Sequence, residues 1–316
     1  MHHARQRWDD TKNFIRIIRP ILHLAIKPCL CYQPAMSALV QLDHLLSLLD
    51  DDSKVVQEAV QRELTTMRRE LPERLRHMNR PLSADEERHV GRLLEPARRA
   101  ELSETWMRWR WMESPHAQLE EGIAQISAYL HGWRTQPGDL ALRLDALAEE
   151  AFRDQGRMDA RELSEWLFAV RDGTVRFRGN SKDYYTANNS NLFWVLETGL
   201  GNPISLSCLY RLLGQRFGLD IQGSNFPGHF LARVEMADRT WLVDCFNRGR
   251  FMLASDVVRH HPAANPTMED VIRQPASADQ ILLRILRNLD EAYERTDNLP
   301  QRHVMRKLAV KLMEED

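Results

Sequence analysis

Residues 177–249 constrain the fold of this chain more than any other stretch, because helix and strand patterns alternate there around three reactive side chains. A helix is predicted to begin after Asn202, which is a good N-cap, and to carry Cys208. A strand is predicted to begin at His229, and the next strand ends near Asp244. The chain order therefore places a thiol on a helix, followed by an imidazole and a carboxylate on neighbouring strands.

The predicted central helix covers residues 204–217, and the predicted strands cover residues 221–226, 229–236 and 240–246. A short loop makes the last two strands a hairpin, which brings His229 and Asp244 near each other as cross-strand neighbours. An antiparallel sheet packed on a central helix belongs to the α+β class. This layout, with a thiol, an imidazole and a carboxylate in that order, is typical of papain-like and transglutaminase-like folds.

Helical patterns flank this core on both sides. We interpret residues 36–171 as a helical region that opens with one HEAT-like hairpin, and residues 172–255 as the core. Residues 256–316 read as a loop followed by a helical hairpin of the tetratricopeptide kind, and residues 250–275 as loop-rich. Residues 1–35 form a poor signal-peptide core, and we expect them to be a disordered or mis-called extension before a start at Met36.

The composition gives evidence on which classes of partner and cofactor to expect. The net charge of -2 gives no reason to expect nucleic acid, and no apolar run is long enough to span a bilayer. Trp106 and Trp109 are interpreted as inward-packing residues rather than a base-stacking surface. Four cysteines in 316 residues indicate a reducing, cytoplasmic setting, and the pair Cys29 and Cys31 is a poor zinc site, so no metal or cofactor is expected.

The candidate catalytic residues are Cys208, His229 and Asp244, which could act as nucleophile, base and orienting group. Cys208 lies about one turn deeper than the helix start, where the helix dipole lowers a thiol pKa less. Ser205 shares its helical face and lies nearer the start, so it is an alternative nucleophile. Each residue also has a structural interpretation: Cys208 as a buried small residue, and His229 bonded to Asp244 for stability.

Three further residues are candidates for binding. Tyr185 and Asn189 lie in a polar, aromatic loop before the helix at residues 192–198, where they could form a wall of a cleft. Asn189 could act either as a helix cap or as a donor to a substrate carbonyl. Asn247 follows Asp244 closely and is the third candidate.

Several spaced motifs resemble the SirB-type branch of transglutaminase-like proteins, which has a tetratricopeptide-like tail. The motifs are FRGNSKDYY, NNSNLFWVL, GNPISLSCLYRLLGQRFGL, NFPGHFLARV and VDCFNRGR, and the resemblance covers residues 37–316. It implies that His229 and Asp244 match the superfamily's His and Asp, while its nucleophilic Cys would fall near residues 203–205, where no Cys stands. Arg248 also stands where the family usually has Gly, and Cys245 where it often has Pro.

Two functions follow from these observations. The first is a non-catalytic, regulatory protein that binds a protein partner through the former active-site cleft. The alternative is a cysteine or serine hydrolase or acyltransferase that uses Cys208, or Ser205, with His229 and Asp244 on a peptide-like substrate. The absence of a Cys in the first helical turn favours the non-catalytic function.

Overall fold

The structure is a computed structural model that describes residues 34–49, 51–67, 70–260 and 266–314. The expectation of an N-terminal extension therefore falls almost wholly outside the described residues. The chain divides between Glu87 and Arg88 into two compact units.

The first unit contains the helical hairpin that the leucine spacing predicts. Its helices are α1 (Pro34–Ser47), α2 (Lys54–Thr66) and α3 (Leu71–Arg76). Leu42, Leu46, Val60 and Leu64 are buried, so the apolar faces of α1 and α2 form a core as amphipathic helices do.

The second unit is mainly helical around a small sheet. Its first helix, α4 (Ala84–Thr105), begins just before the division and is followed by a 3-10 helix, Trp106–Trp111. Trp106 and Trp109 are buried, as their spacing predicts, whereas Trp111 is exposed. The remaining helices before the sheet are α5 (Pro115–His131), α6 (Asp139–Gln155), α7 (Ala160–Phe168), α8 (Leu192–Thr198) and α9 (Pro203–Arg216).

Two pairs of two-residue strands precede the main sheet. Strands β1 (Val170–Arg171) and β2 (Thr174–Val175) form an antiparallel pair, and β3 (Arg178–Gly179) pairs in parallel with β4 (Leu200–Gly201). The parallel pair ties the segment after α7 to the residues that lead into α9.

The main sheet is antiparallel, with strands in sequence order: β5 (Ile221–Ser224), β6 (Leu231–Met236), β7 (Arg239–Asp244) and β8 (Arg250–Leu253). The β6–β7 register pairs Met236 with Arg239 and Ala232 with Val243. His229 lies two residues before β6 rather than opening the strand, which corrects the predicted boundary. The region predicted as loop contains β8, α10 (Ala254–His260) and α11 (Pro266–Arg273), elements too short to produce a clear periodic pattern.

Helix α9 forms the centre of the second unit and is buried over most of its length. Asn202 accepts the Ser205 N–H and Ser205 Oγ accepts the Asn202 N–H, so a capping box sets the start of the helix. The helix ends at Arg216, and its C-cap Phe217 is followed by Gly218, whose φ of +73° suits glycine. Gly214 lets the helix approach the sheet, since a Cβ there would lie 2.4 Å from Ile221 Cδ1.

The tail is a hairpin of α12 (Ala278–Arg295) and α13 (Leu299–Glu314), close to the predicted bounds. Ser277 caps α12 in a second capping box, and Ile281, Leu282 and Ile285 on one face of the helix are buried in the main core. The tail is therefore part of the second unit's core. The α+β class and the small antiparallel sheet of the prediction are both present in this unit.

Candidate functional site

His229 and Asp244 meet directly in the structure. The Nε2–H of His229 donates to Asp244 Oδ1 at 2.8 Å, and the histidine side chain is 30 % exposed. Because this bond holds the proton on Nε2, Nδ1 is the nitrogen that can accept a proton from another group. The ring of Phe246 packs edge-on against the imidazole with centroids 6.1 Å apart. The pair thus has the geometry of a base and its orienting carboxylate.

Asn247 holds the carboxylate of Asp244 in place. Its backbone N–H donates to Oδ1 at 3.1 Å and its side-chain amide donates to Oδ2 at 2.8 Å. Burial is the largest single influence on the pKa of Asp244 and raises it, but the hydrogen bonds from His229 and Asn247 together outweigh burial and lower that pKa below its usual value. Asn247 therefore acts on Asp244, which is a different role from binding a ligand directly.

The thiol of Cys208 does not join this pair. Cys208 is 2 % exposed within the main core, and burial raises the pKa of its thiol to about 12. A thiol with such a pKa is a protonated, poor nucleophile at neutral pH. The catalytic interpretation of Cys208 is thus unsupported by its surroundings, and its side chain packs like a small apolar residue. Cys245 is also fully buried.

The hydroxyl of Ser205 is occupied by the start of α9. Ser205 Oγ accepts the Asn202 N–H at 3.0 Å and donates to the Asn202 carbonyl oxygen at 3.2 Å, and the residue is 4 % exposed. Activation by His229 would require the hydroxyl to leave the capping box. Neither candidate nucleophile is therefore available to His229, because Cys208 is buried in the core and Ser205 is held in the capping box.

The structure corrects the prediction that Asn189 caps a helix or donates to a substrate. It is fully buried, its amide donates to the carbonyl oxygens of Asp183 and Tyr184, and its side-chain oxygen accepts from Asn180. The cap of α8 is Asn191 instead, which accepts from the N–H groups of the first helical turn. Asn189 is a loop-forming residue because its hydrogen-bonding groups are used within the loop.

One cavity is lined by the pair itself, and a second is lined by Gly228 and Phe230, the residues on either side of His229. The sheet-edge cavity, about 660 Å³, is lined by His229 and Asp244 together with an apolar wall that includes Trp241, Phe251 and Leu253. The helix-end cavity, about 230 Å³, lies at the start of α9 and is lined by Pro203, Ile204, Gly228, Tyr185, Arg284 and Asn288, among others. Tyr185 is 47 % exposed, so of the predicted binding residues it alone presents an accessible side chain to a cavity.

Comparison with known proteins identifies the family of this chain. Residues 139–287 match the family model described as transglutaminase-like superfamily. A UPF0162 protein of Xylella fastidiosa strain Temecula1 is 33% identical over 190 residues, which cover 56% of this chain and 68% of that protein. The chain belongs to the UPF0162 family, with a core of the transglutaminase-like superfamily.

Other relatives match a smaller share of this UPF0162-family chain. Human F-box only protein 21 is 29% identical over 143 residues, and the mouse protein of the same name is 42% identical over 143 residues. In both cases the match covers 42% of this chain and 22% of the relative. No solved structure matches the chain significantly.

Within this transglutaminase-like core, Arg248 has a backbone conformation that is unusual for a residue other than glycine. The resemblance implies Gly at this position, and the φ of Arg248 is +64°. That left-handed conformation favours glycine, so Arg248 occupies the turn between β7 and β8 at a cost in backbone strain.

Sequence reasoning missed Arg284 as a site residue of this UPF0162-family chain. Its Nη1 donates to Asn225 Oδ1 at 2.6 Å and to the Phe226 carbonyl oxygen at 3.0 Å, and its guanidinium lies 5.6 Å from the centroid of the Phe230 ring. Arg284 therefore braces the turn that carries His229. It lies 55 residues further along the chain in a helix whose periodicity indicates only packing, so no local signal could have revealed it.

The described residues of this family member can be compared with the requirements of a membrane-spanning helix and of a metal site. None of the helices in the described residues is both long and apolar enough to cross a bilayer. Across the same part of the chain, His, Cys, Asp and Glu side chains form no group of three that could hold a metal ion.

Proposed function

We propose that this chain is a non-catalytic, regulatory member of the transglutaminase-like superfamily, which binds a peptide segment of a protein partner at the two cavities beside His229. The observation that carries the proposal is the state of the two candidate nucleophiles. Cys208 is buried with a raised thiol pKa, and Ser205 is held in the capping box of α9. Pro203 and Ile204, in the first helical turn, line the helix-end cavity. The resemblance implies that the superfamily's nucleophile would fall near these residues.

The cavities themselves support a binding function. The sheet-edge cavity combines an aromatic and aliphatic wall with the polar His229–Asp244 pair, which is the usual composition of a ligand site. The helix-end cavity adds the phenol of Tyr185 and the side chains of Arg284 and Asn288. Apolar side chains of a peptide could fill the first cavity while its backbone amides meet the polar groups of the second.

We also propose that the chain belongs to the SirB-type branch with a tetratricopeptide-like tail. The motif order favours the SirB-type branch, and the pair α12 and α13, of 18 and 16 residues, fits a tetratricopeptide-like hairpin. The resemblance favours a bacterial protein, and sparse cysteine use favours a reducing, cytoplasmic setting. The net charge of -2 and the lack of a long apolar run favour a protein partner over nucleic acid or membrane.

The alternative is a thiol or serine hydrolase or acyltransferase, and one observation favours it. The hydrogen bond from His229 Nε2 to Asp244 leaves Nδ1 available as a base. This function would need α9 to shift so that Cys208 or Ser205 reaches that nitrogen. Chemical labelling distinguishes the two functions.

The labelling experiment treats the native protein with iodoacetamide from about pH 5.5 to about pH 8.5 and locates the adducts by mass spectrometry. We expect Cys208 and Cys245 to remain unlabelled until the protein is unfolded. A serine-directed fluorophosphonate should likewise leave Ser205 unmodified. Rapid native labelling of Cys208 or Ser205 that disappears in a His229→Ala variant would establish the enzyme instead.

The binding experiment selects a phage-displayed library of random dodecapeptides on the wild-type protein and measures the enriched peptides by fluorescence anisotropy. Peptides that bind the cavities should bind about tenfold more weakly to the Tyr185→Ser and Asn288→Ala variants. Leu142→Ser is a matched control, since Leu142 is exposed and lines neither cavity. If no enriched peptide loses affinity in the cavity variants, the binding proposal is wrong.

A further inference from the structure

We propose that a groove between the end of α6 and the end of α9 is a second interaction surface, which binds an acidic peptide segment of a protein partner with an aromatic or large aliphatic anchor. We call it the α6 groove and define it by Phe152, Phe217, Glu149, Arg153, Arg157 and Arg216. It shares no lining residue with the two cavities beside His229. The proposal is therefore independent of the function of that site.

The groove exposes an aromatic side chain in a concave place. Phe152 is 56 % exposed near the end of α6, and Phe217, at the end of α9, is partly buried against the main core. The groove has a volume of about 530 Å³, enough for a large side chain. The concave shape of the groove would allow Phe152 and Phe217 to contact a partner's apolar side chain together.

The charged residues around Phe152 and Phe217 favour a partner with acidic side chains. Arg216 is already neutralised, because its guanidinium bonds both oxygens of Glu120 at 2.8 and 2.9 Å and Asp145 at 2.7 Å. Arg153 and Arg157 are exposed, and neither forms an ion pair with any acidic side chain that the structure describes. Glu149 is the only acidic residue that lines the groove in this part of the chain.

Two unpaired arginines beside an exposed Phe complement a short acidic sequence with one large apolar side chain. Aromatic residues and arginine are enriched at the energetic centres of protein interfaces, because each buries a large area and arginine binds carboxylates with two parallel hydrogen bonds. The whole chain has a net charge of -2, so its general field does not attract polyanions. The complementarity is confined to the groove, which favours a peptide over nucleic acid.

The test uses the same dodecapeptide library, first depleted of clones that bind the Phe152→Ser variant and then selected on the full-length wild-type protein, so that groove-dependent clones are enriched. We expect these clones to share Asp or Glu residues next to Phe, Tyr, Trp or Leu. Their affinity by fluorescence anisotropy should fall about tenfold in Phe152→Ser and in the double variant Arg153→Ser, Arg157→Ser. Affinity should also fall as salt rises from about 50 mM to about 300 mM, because the arginine contacts are exposed.

Two controls separate this surface from other sites. Leu142→Ser removes an exposed apolar side chain from the same helix but outside the groove, and should leave the affinity unchanged. Tyr185→Ser should also have no effect, which distinguishes the groove from the cavities beside His229. Urea unfolding verifies that each variant is folded. The proposal is overturned if no clone depends on Phe152, or if the dependent clones lack acidic residues and bind independently of the arginines.

Discussion

Arg284 and His229 are joined through a single oxygen atom. The carbonyl oxygen of Phe226 accepts the backbone N–H of His229 at 3.3 Å and the Nη1–H of Arg284 at 3.0 Å. Burial lowers the pKa of the Arg284 guanidinium, which lies against neutral acceptors. The C-terminal tail thereby helps to position the histidine of the transglutaminase-like core. Removing the tail would alter the site even though the tail supplies neither His229 nor Asp244.

Replacing Arg284 by Ala should destabilise the second unit by about 1–3 kcal/mol, because two charge-assisted hydrogen bonds to partly buried acceptors are lost. Arg287→Ala is the matched control: Arg287 lies on the same helix and is exposed, so its loss should change the free energy of unfolding by less than about 0.5 kcal/mol. Urea unfolding measures the change in unfolding free energy for both variants. Equal effects of the two substitutions would show that Arg284 does not brace the turn.

Asp244→Asn should lower stability near neutral pH, and the loss should shrink in acid. The folded-state pKa of Asp244 lies below its usual value of 3.8, so its ionised form contributes stability above that value. This contribution disappears as pH falls through the lower, folded-state pKa. Urea unfolding of wild type and variant from about pH 7 to about pH 3 should therefore give converging free energies. A difference that stays constant over this range would contradict the assignment.

Glu86 makes the stability of the first unit depend on pH in the acid range. The Arg80 guanidinium donates to both oxygens of Glu86 at 2.7 and 2.8 Å, and these hydrogen bonds lower the pKa of Glu86 from 4.5 to about 2. The stability from this pair is complete above pH 4.5 and is lost as pH falls toward 2. Glu86→Gln should cost about 1–3 kcal/mol near neutral pH.

The matched control for Glu86 is Glu58→Gln, on an exposed position of α2. It should change the unfolding free energy by less than about 0.5 kcal/mol. Urea unfolding monitored by hydrogen exchange of the backbone amides in residues 51–67 measures the stability of the first unit. A Glu86→Gln protein as stable as Glu58→Gln at neutral pH would rule out a stabilising pair.

Gly199 and Gly218 both have positive φ, +71° and +73°, but differ in the space around them. A Cβ on Gly199 would lie 2.3 Å from the Arg176 carbonyl oxygen, whereas a Cβ on Gly218 meets nothing within 4 Å. Gly218→Ala should cost about 1–2 kcal/mol for backbone strain alone. Gly199→Ala should cost a further 1–3 kcal/mol or so because backbone must move. Thermal or urea unfolding measures both losses of stability. Equal losses for Gly199→Ala and Gly218→Ala would contradict the close approach of Gly199 to the Arg176 carbonyl oxygen.

Arg248→Gly should stabilise the protein by about 0.5–1 kcal/mol, because glycine adopts the observed φ of +64° without strain. Arg250→Gly, two residues later in the extended strand β8, should instead destabilise it by a similar amount, since glycine weakens a strand. Opposite shifts of the urea midpoint are the expected result. A loss of stability in Arg248→Gly would show that its side chain contributes more than the strain costs.

Much of the fold could be predicted because its signals are local. The capping residue Asn202, the terminating Gly218 and the apolar spacing between them located α9 to within one residue at each end. The tail hairpin followed from the same kind of spacing. The short strand β8 was not predicted, because its pairing partner β7, rather than its own four residues, holds it in the sheet.

The candidate site was harder to predict from the sequence. Asn189 and Asn191 lie two residues apart in one polar loop, and only the folded backbone shows that the first is buried within the loop while the second caps α8. Arg284 reaches the His229 turn from a distant helix. Such relationships depend on how whole elements pack, which residue spacing within one element does not describe.

The sequence by itself determined the class of fold, the order of helices and strands in the core, and the closeness of His229 to Asp244, since a short hairpin brings its own ends together. Only the tertiary structure decided which side chains can act there. Packing against the sheet buries Cys208, the capping box occupies Ser205, and the tail braces the histidine turn. The accessibility and pKa of a group depend on all the elements around it, and these meet only when the chain is folded.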